Sequence, residues 1–319
     1  MSFKTFLDLV EIQTKIASLF PFLIGILFVA YRYESINVLN SMVFFGSMLI
    51  FDLTTTAINN YMDYRKATDN HDYDYRKERN IIGRAAISET LVVVVIWTML
   101  ITAVGLGLYL VYLTNIIVLI MGLMCFFIGI FYTFGPLPLS RLPLGEVFSG
   151  VTMGFGIIFL VIYINVYNLD IISLHWSGYT ISFHVNLQEV FWIVLISLPS
   201  VFTIANLMMA NNICDLEEDI RNDRFTLPYY IGKKAAVKLF EVLYIVSFSV
   251  IILAVALKVY HPIMLLALVV LIPVLKNVRL FKAKQIKSKT FIVSVKNLIL
   301  TNGAIVVGLL LSLLLVKFT

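Results

Sequence analysis

Charged side chains are scarce in this sequence, since Asp, Glu, Lys and Arg make up only 13% of its 319 residues. A soluble globular domain carries about 25% charged residues, and a disordered chain lacks the large apolar residues that dominate here. Two cysteines, Cys125 and Cys214, are too few for a disulfide framework. The 16 glycines and 8 prolines exclude collagen-like and low-complexity chains. These absences leave a membrane protein as the class to test.

Apolar residues are what the sequence has in excess, at 60% of the chain with a mean hydropathy of +0.94. A membrane-crossing helix needs about 20 mostly apolar residues. Stretches of this kind predict an all-α, polytopic membrane helical bundle with about nine transmembrane helices and no cleavable signal peptide. The predicted spans are 13–31, 39–61, 90–112, 115–134, 146–167, 190–212, 236–257, 261–275 and 292–316. The eighth carries Pro262 and Pro273 and is expected to continue to Phe281.

The distribution of Lys and Arg predicts the orientation, because loops rich in these residues stay in the cytoplasm. With a cytoplasmic N-terminus, 21 of the 24 Lys and Arg residues lie on the inner side or at its span edges. Two inner segments, 63–89 and 214–238, also hold 11 of the 19 acidic residues. Orientation alone does not require acidic residues there, so these segments are candidates for function.

Two acidic motifs begin at the cytoplasmic ends of the second and sixth predicted spans. Each opens with two asparagines and has an aspartate four residues after the first: Asn59, Asn60 and Asp63 in one, Asn211, Asn212 and Asp215 in the other. The motifs extend over 59–69 and 211–223. Their repetition predicts one transmembrane domain, 1–319, with an internal pseudo-repeat. A single charged loop between spans is usually only solvated, but the repeated opening favours a functional site.

The spacing of the acidic residues predicts a cation site. Residues four apart lie on one helical face, so Asn211, Asp215 and Asp219 stack. Asp52 is eleven residues, or about three turns, before Asp63 and is expected to face the same way. Stacked carboxylates near lipid repel and need a cation, and oxygen ligands with substrate phosphates suit Mg²⁺. Five basic residues would suit the remaining phosphate oxygens: Lys66, Arg79, Arg84, Arg224 and Lys233.

These segments resemble the paired aspartate-rich motifs of the UbiA superfamily of intramembrane prenyltransferases, most closely those of the 1,4-dihydroxy-2-naphthoate polyprenyltransferase branch. That branch has N-D-x-x-D with a further Asp six residues on, and N-N-x-R-D-x-x-x-D-x-x-x-G-K-x-T-L. The matching residues are Asn59, Asn60, Asp63, Asp69, Asn211, Asn212, Asp215, Asp219, Thr226 and Leu227. A third stretch, Tyr132 to Pro138 followed by Leu144, Gly145 and Glu146, is similar to the branch's Y-T-x-x-P-x-x-L…L-G-E. The departures are Asn60 for Asp, Ala67 for Gly, Cys214 for Arg, and Asp223 with Arg224 for Gly-Lys.

The resemblance implies Mg²⁺-dependent transfer of a polyprenyl group from a polyprenyl diphosphate to 1,4-dihydroxy-2-naphthoate. The products would be demethylmenaquinone in its reduced (quinol) form, diphosphate and CO₂, formed in a central cavity open to the cytoplasmic side of the cell membrane. Catalysis is expected to depend on Asp63, Asp215 and Asp219, and no nucleic-acid partner is expected. The expected metal ligands are Asn60, Asp63, Asp69, Asp215 and Asp219. The residues expected to bind diphosphate are Asn59, Lys66, Arg79, Arg84, Asn211, Arg224 and Lys233. The acceptor pocket is expected to include Asn212, Tyr132 and Glu146.

Alternatives stay open at this point. Glu146 either lines the acceptor pocket or only caps a helix N-terminus, where a carboxylate is favourable. The acceptor could be another aromatic compound, such as 4-hydroxybenzoate. A transporter would also use intramembrane carboxylates, but it should place them near the bilayer midplane at broken helices. Here they lie at span ends on one side.

Overall fold

The computed structural model describes residues 1–69, 80–133, 139–221 and 224–318, without the side chains of 66–69, 133 and 316–318. Within these ranges the regular secondary structure is helical apart from one two-stranded sheet. The all-α class is therefore confirmed. The chain divides into two compact units, Met1–Ile16 with Met42–Pro138, and Ala17–Ser41 with Leu139–Thr319.

The first unit contains two short helices and three long apolar ones. They are α1 (Phe3–Leu9), α3 (Val38–Asp69, from Met42), α4 (Ile81–Arg84), α5 (Glu89–Leu113) and α6 (Ile116–Thr133), with a 3-10 turn at Ile12–Lys15. Side-chain caps help to begin the short helices, since Ser2 accepts from Thr5 N and Asn80 accepts from Ile82 N. A buried cluster joins α1, α3, α4 and α5, and fixes the residues around the first acidic motif: Leu9, Val10, Ala57, Tyr64, Ile81, Ile82, Val92 and Ile96.

The second unit contains the remaining helices and the sheet. Its elements are α2 (Ile16–Tyr33, from Ala17), α7 (Gly145–Ser149), a π-helical segment (Gly150–Gly156), α8 (Ile157–Val166), β1 (Ile172–Ser177), β2 (Thr180–Val185), α9 (Leu187–Cys214), α10 (Leu216–Arg221), α11 (Leu227–Ile231), α12 (Lys233–Ala256), α13 (Leu271–Ala283), α14 (Lys287–Thr290) and α15 (Ile292–Phe318), with 3-10 segments at Leu139–Arg141, Tyr167–Leu169 and Pro262–Val270.

Glycines bring the polypeptide that carries Glu146 close to α9. A Cβ atom at Gly154 would lie 2.6 Å from Val201 Cα, and one at Gly150 would lie 2.7 Å from the Val201 carbonyl oxygen. Only glycine permits this approach. Glu146 lies just before these glycines in the same helical stretch, and its side chain meets Asn212 near the C-terminal end of α9.

The helices long and apolar enough to cross a membrane match the predicted spans. Eight such helices occur among the described residues, and Ile116–Tyr132 is a shorter apolar helix at the position of the predicted span 115–134. The eighth predicted span is Pro262–Ala283, a 3-10 segment followed by α13. It reaches past Phe281, as expected. About nine transmembrane helices is thus a sound description of the fold.

The β1–β2 hairpin is the one sheet among the described residues, and the prediction of an all-α bundle did not contain it. It lies between the spans Gly145–Leu169 and Leu187–Cys214, where the sequence had indicated only a loop. Gly178 has a φ of 57° at the two-residue turn, a conformation that glycine adopts without steric cost.

Candidate functional site

The first acidic motif lies on the last turns of α3, which continues without a break to Asp69. Asn59 is exposed and Asp63, one turn later, is half-buried. Asp69 is the last residue of α3, but its side chain and that of Lys66 are outside the described part of the structure, as is the whole of Arg79. The motif therefore presents polar groups along one exposed to half-buried stretch of a single helix.

Asn60 is tied to the N-terminal segment. Its side-chain Nδ2 donates to the Leu9 carbonyl oxygen at 2.9 Å and to Glu11 Oε1 at 3.3 Å. The backbone carbonyl oxygen of Asn60 accepts from Asn80 Nδ2 at 2.9 Å. An aspartate at this position could not donate to these two oxygens. The hydrogen bonds to Leu9 and Glu11 thus explain why position 60 holds an amide rather than a carboxylate. The sequence did not indicate that Glu11, which has a left-handed φ of 48°, lies beside the motif.

Asp52 is paired within the membrane-crossing part of the same unit. Lys15 Nζ lies 2.9 Å from Asp52 Oδ1 and 2.5 Å from Thr56 Oγ1, and both ionic side chains are largely buried, at 7% and 16% exposure. A buried charge is retained where it is paired and hydrogen-bonded. This pair joins the turn Ile12–Lys15 to α3 and places a cation beside the Asp52 carboxylate.

The second acidic motif crosses a break between two helices. α9 ends at Cys214, Asp215 is its C-cap, and α10 begins at Leu216. The four-residue hydrogen bonds nevertheless continue, with Asp215 N donating to the Asn211 carbonyl at 3.0 Å and Asp219 N to the Asp215 carbonyl at 2.7 Å. The predicted stacking of Asn211, Asp215 and Asp219 is therefore present in the backbone despite the break.

A buried polar cluster surrounds this motif. Asn212 Nδ2 donates to Glu146 Oε1 at 2.8 Å, and both residues are about fully buried, at 1% and 2% exposure. Glu146 thus does more than cap a helix, because it holds Asn212. Three buried oxygen atoms of this cluster have no hydrogen-bond partner within the described residues: Glu146 Oε2, Asn212 Oδ1 and Asp219 Oδ2. Thr226 Oγ1, a little further along the chain, is likewise buried without one, and Arg224 Nε has only its ion pair with Asp219.

Unsatisfied buried polar atoms are unfavourable by about 1–3 kcal/mol each, so several of them together indicate a site built for a polar ligand. Asp219 lies close enough to act on Glu146 electrostatically, Asn212 is hydrogen-bonded to Glu146, and Arg224 is paired with Asp219, so these four residues lie in one neighbourhood of the second unit. The donor set combines carboxylate and amide oxygens with a guanidinium, and it suits a hard cation with an anionic substrate group.

The charge of Asp219 is poorly stabilised by the protein alone. Burial raises the pKa of Asp219, the Arg224 guanidinium lowers it, and the Asp215 carboxylate raises it again. Arg224 Nε lies 3.5 Å from Asp219 Oδ1, while Arg224 Nη2 is 3.5 Å from the Ser140 carbonyl oxygen. A cation next to Asp219 would favour its charged form.

Asp215 forms an ion pair with Lys287 of α14, 72 residues away. The sequence had indicated only that Lys287 belongs to the 21 Lys and Arg residues on the cytoplasmic side, six of which lie in 276–291. Sequence spacing does not reveal this contact, and the density of basic residues in that segment was its only signal. The structure thus adds Lys287 to the second motif.

The remaining predicted residues are more peripheral. Arg84 is exposed at the end of α4, and Lys233 is exposed in the first turn of α12. Tyr132 is half-buried near the end of α6, and Asp223 lies outside the described residues. In the part of the chain that the structure describes, no three His, Cys, Asp or Glu side chains converge on a metal position. The two motifs belong to different compact units.

Comparison with known proteins agrees with this architecture. Residues 18–314 match the UbiA prenyltransferase family. The 1,4-dihydroxy-2-naphthoate octaprenyltransferase of Bacillus subtilis (strain 168) is 28% identical over 240 residues, covering 74% of this chain and 68% of that protein.

Solved structures show the same fold. A digeranylgeranylglyceryl phosphate synthase aligns with a TM-score of 0.64 at 18% identity, over 96% of this chain and 98% of the other. A UbiA homologue from Archaeoglobus fulgidus bound to GPP and Mg²⁺ aligns with a TM-score of 0.62 at 12% identity, over 97% and 99%. The family match covers most of the chain and removes the transporter alternative: this protein belongs to the UbiA prenyltransferase family and is a multi-pass membrane prenyltransferase.

Proposed function

We propose that this enzyme transfers a polyprenyl group from a polyprenyl diphosphate to 1,4-dihydroxy-2-naphthoate and releases diphosphate and CO₂. The observation that carries the proposal is the buried cluster of Glu146, Asn212 and Asp219, whose unpaired polar atoms adjoin the second acidic motif. The name of the Bacillus subtilis relative supports the acceptor. The Archaeoglobus fulgidus homologue, bound to GPP and Mg²⁺, supports the donor and the metal.

The acidic residues fit a divalent cation. Asp215 and Asp219 in the second motif, and Asp63 and Asp69 with the amide oxygen of Asn60 in the first, would hold Mg²⁺. The unpaired Asp219 Oδ2 is the structural sign of this fit. When bound, Mg²⁺ would stabilise the negative charge that develops on the leaving diphosphate.

Cationic and amide side chains would hold the diphosphate oxygens. Arg224, already beside Asp219, and Lys287, already beside Asp215, are best placed in the second unit. Lys66, Arg79, Arg84 and Lys233, with the amides of Asn59 and Asn211, supply the further donors. Charge-assisted donors at this point orient the leaving group, and orientation before reaction contributes to the rate.

Glu146 and Asn212 are proposed to bind the acceptor in the second unit, and Tyr132 of the first unit is a further candidate for acceptor binding. Asn212 orients the Glu146 carboxylate through Oε1, which leaves Oε2 and the Asn212 Oδ1 atom to accept hydrogen bonds from a substrate hydroxyl. A carboxylate that accepts a hydroxyl proton makes the aromatic ring a stronger carbon nucleophile. No covalent enzyme intermediate is required.

Product analysis tests the proposal. Membranes containing the enzyme, supplied with Mg²⁺ and a polyprenyl diphosphate, should prenylate 1,4-dihydroxy-2-naphthoate with loss of its carboxylate, as read by mass spectrometry. 4-Hydroxybenzoate in the same assay is the competing acceptor. Prenylation of 4-hydroxybenzoate alone would replace the proposed acceptor while leaving the enzyme class intact.

We also propose that the acidic motifs face the cytoplasm of a cell membrane, because loops rich in Lys and Arg remain there. In a chain carrying Cys125→Ser and Cys214→Ser, an impermeant thiol reagent added to intact cells should label Tyr179→Cys at the hairpin turn. It should not label Lys233→Cys until the cells are opened. The reverse pattern would invert the topology.

A further inference from the structure

The β1–β2 hairpin has one apolar face and one polar face along its whole length. Its register pairs Ile172 with Val185, Leu174 with Phe183, and Trp176 with Ile181. Alternate side chains point to opposite faces of a sheet, so these six residues share one face. The opposite face consists only of hydroxyl and imidazole side chains: Ser173, His175, Ser177, Thr180, Ser182 and His184.

The apolar face is uncovered toward the turn. Trp176, Ile181 and Phe183 are 74%, 59% and 63% exposed, whereas Ile172 and Val185 at the base are half-buried. Large neighbouring apolar side chains that remain exposed mark an interaction surface.

The position and charge of the hairpin point to lipid. It joins the membrane-crossing segments that end at Leu169 and begin at Leu187, so its base is at the membrane boundary. From residue 171 to residue 188 the sequence contains no Asp, Glu, Lys or Arg. We propose that the hairpin lies in the interface between lipid head groups and acyl chains, with its apolar face toward lipid and its polar face toward water.

The depth follows from the backbone. A sheet of two strands leaves the outer N–H and C=O groups of both strands without strand partners, and such groups are not tolerated in the hydrocarbon core. Water and lipid head groups can satisfy them at the interface. Trp176 Nε1 already donates to the Gly178 carbonyl oxygen at 2.8 Å, so the indole can enter an apolar environment without losing a hydrogen bond. Trp and Tyr are enriched at this depth, and Tyr179 is fully exposed at the turn.

The base of the hairpin is fixed to the spans. Tyr163 Oη of α8 donates to the Ile172 carbonyl at 2.9 Å, and Asn186 N donates to the Ile171 carbonyl at 2.9 Å. The protein therefore sets the tilt of the apolar face. Since the second acidic motif is at the other end of α9, the hairpin anchors the end of this span remote from the proposed chemistry.

Fluorescence depth measurement tests this proposal in the full-length protein. With Trp97→Phe and Trp192→Phe, Trp176 is the only tryptophan, and the protein is placed in vesicles containing lipids brominated near the head group or near the chain end. We expect blue-shifted emission and loss of about half of it to the shallow bromines, because interfacial elements enter lipid by only about 5–10 Å. Deep bromines and aqueous iodide should quench less.

A matched reporter lies on the opposite face. Ser182→Trp, in a chain with Trp97, Trp176 and Trp192 changed to Phe, should emit as in water and respond to iodide. Equal behaviour of the two reporters would overturn the proposal. So would a Trp176 shielded from both quenchers, since protein, such as a second copy of the chain, would then cover the face.

A second measurement retains all three tryptophans. Nitroxide labels at Ile181→Cys and Ser182→Cys, in the Cys125→Ser and Cys214→Ser chain, report access to oxygen in lipid and to a nickel chelate in water. The ratio of oxygen accessibility to nickel accessibility should be higher at position 181 than at position 182. Equal ratios would contradict the proposal.

Discussion

The two acidic motifs share the same opening, but the protein places them in different environments. In the first, α3 runs through the motif unbroken, Asn59 is exposed, and the Asn60 amide donates to the N-terminal segment. In the second, the helix ends at Cys214, and Asn212 and Asp219 are buried beside Glu146 with polar atoms that have no hydrogen-bond partner among the residues that the structure describes.

This difference shows that the same local spacing does not give the same role. In the absence of substrate, polar groups that are exposed to water or hydrogen-bonded to another segment have little free-energy cost. The buried groups of the second motif without a partner among the described residues are unfavourable until a ligand pairs with them. We therefore expect the second motif to be the more sensitive to substitution, and four predictions test this expectation.

The largest effect is expected from the carboxylates. Asp215→Asn and Asp219→Asn should each lower prenyl transfer about 100-fold, or about 2.7 kcal/mol, because the isosteric amides lose the charge that binds the metal. Asp63→Asn should lower it by about tenfold or more. Glu218→Gln, which removes an exposed charge from the same helix as Asp219, is the control and should retain most activity. A second-motif variant near wild-type turnover would end its assignment as a metal ligand.

The second prediction compares the two equivalent asparagines. Asn212→Asp removes a donor and adds a carboxylate beside buried Glu146, which should destabilise the protein by about 2–3 kcal/mol. Asn60→Asp, at a half-buried position, should be less destabilising. Thermal unfolding of the detergent-solubilised proteins measures both. Equal losses would remove the contrast between the two environments.

The third prediction concerns Lys287. Since its ion pair with Asp215 is partly exposed, Lys287→Gln should raise the KM for polyprenyl diphosphate about fivefold or less, within the range of about 1 kcal/mol for exposed pairs. Lys289→Gln, in the same short helix α14, should leave KM unchanged. If both variants act alike, the segment contributes only a general positive field.

The smallest effect is expected at Asn60 itself. Asn60→Asp should stay active, and its added charge should favour Mg²⁺, but repulsion from Glu11 should offset this gain. Combined with Glu11→Gln, whose amide can donate to the new carboxylate, it should reach half-maximal rate at lower Mg²⁺ than the wild type. A double variant that needs more Mg²⁺ would show that Asn60 serves the N-terminal contact alone.

The order of spans and the location of the acidic motifs could be predicted because both depend on local pattern. Runs of apolar residues and four-residue spacings are encoded in neighbouring positions, and even the continuation of the eighth span past Pro273 followed from composition. The hairpin was missed, although Ile172, Leu174 and Trp176 alternate with Ser173, His175 and Ser177. In a membrane protein, lipid as well as a protein core can cover apolar side chains. A short alternation of apolar and polar residues is therefore a weak signal for a strand.

The sequence by itself determined a helical membrane protein with two acidic motifs of common spacing. Only the tertiary structure decided which polar groups meet: Glu146 with Asn212 across 66 residues, Lys287 with Asp215 across 72, and Asn60 with Leu9 across 51. The physical reason is that such contacts depend on helix packing, set here by the absence of side chains at Gly150 and Gly154 and by the apolar cluster around Leu9 and Ile82. Burial then gives the two motifs different environments, because a polar group is unfavourable when it is buried without a hydrogen-bond partner and is satisfied by water when it is exposed.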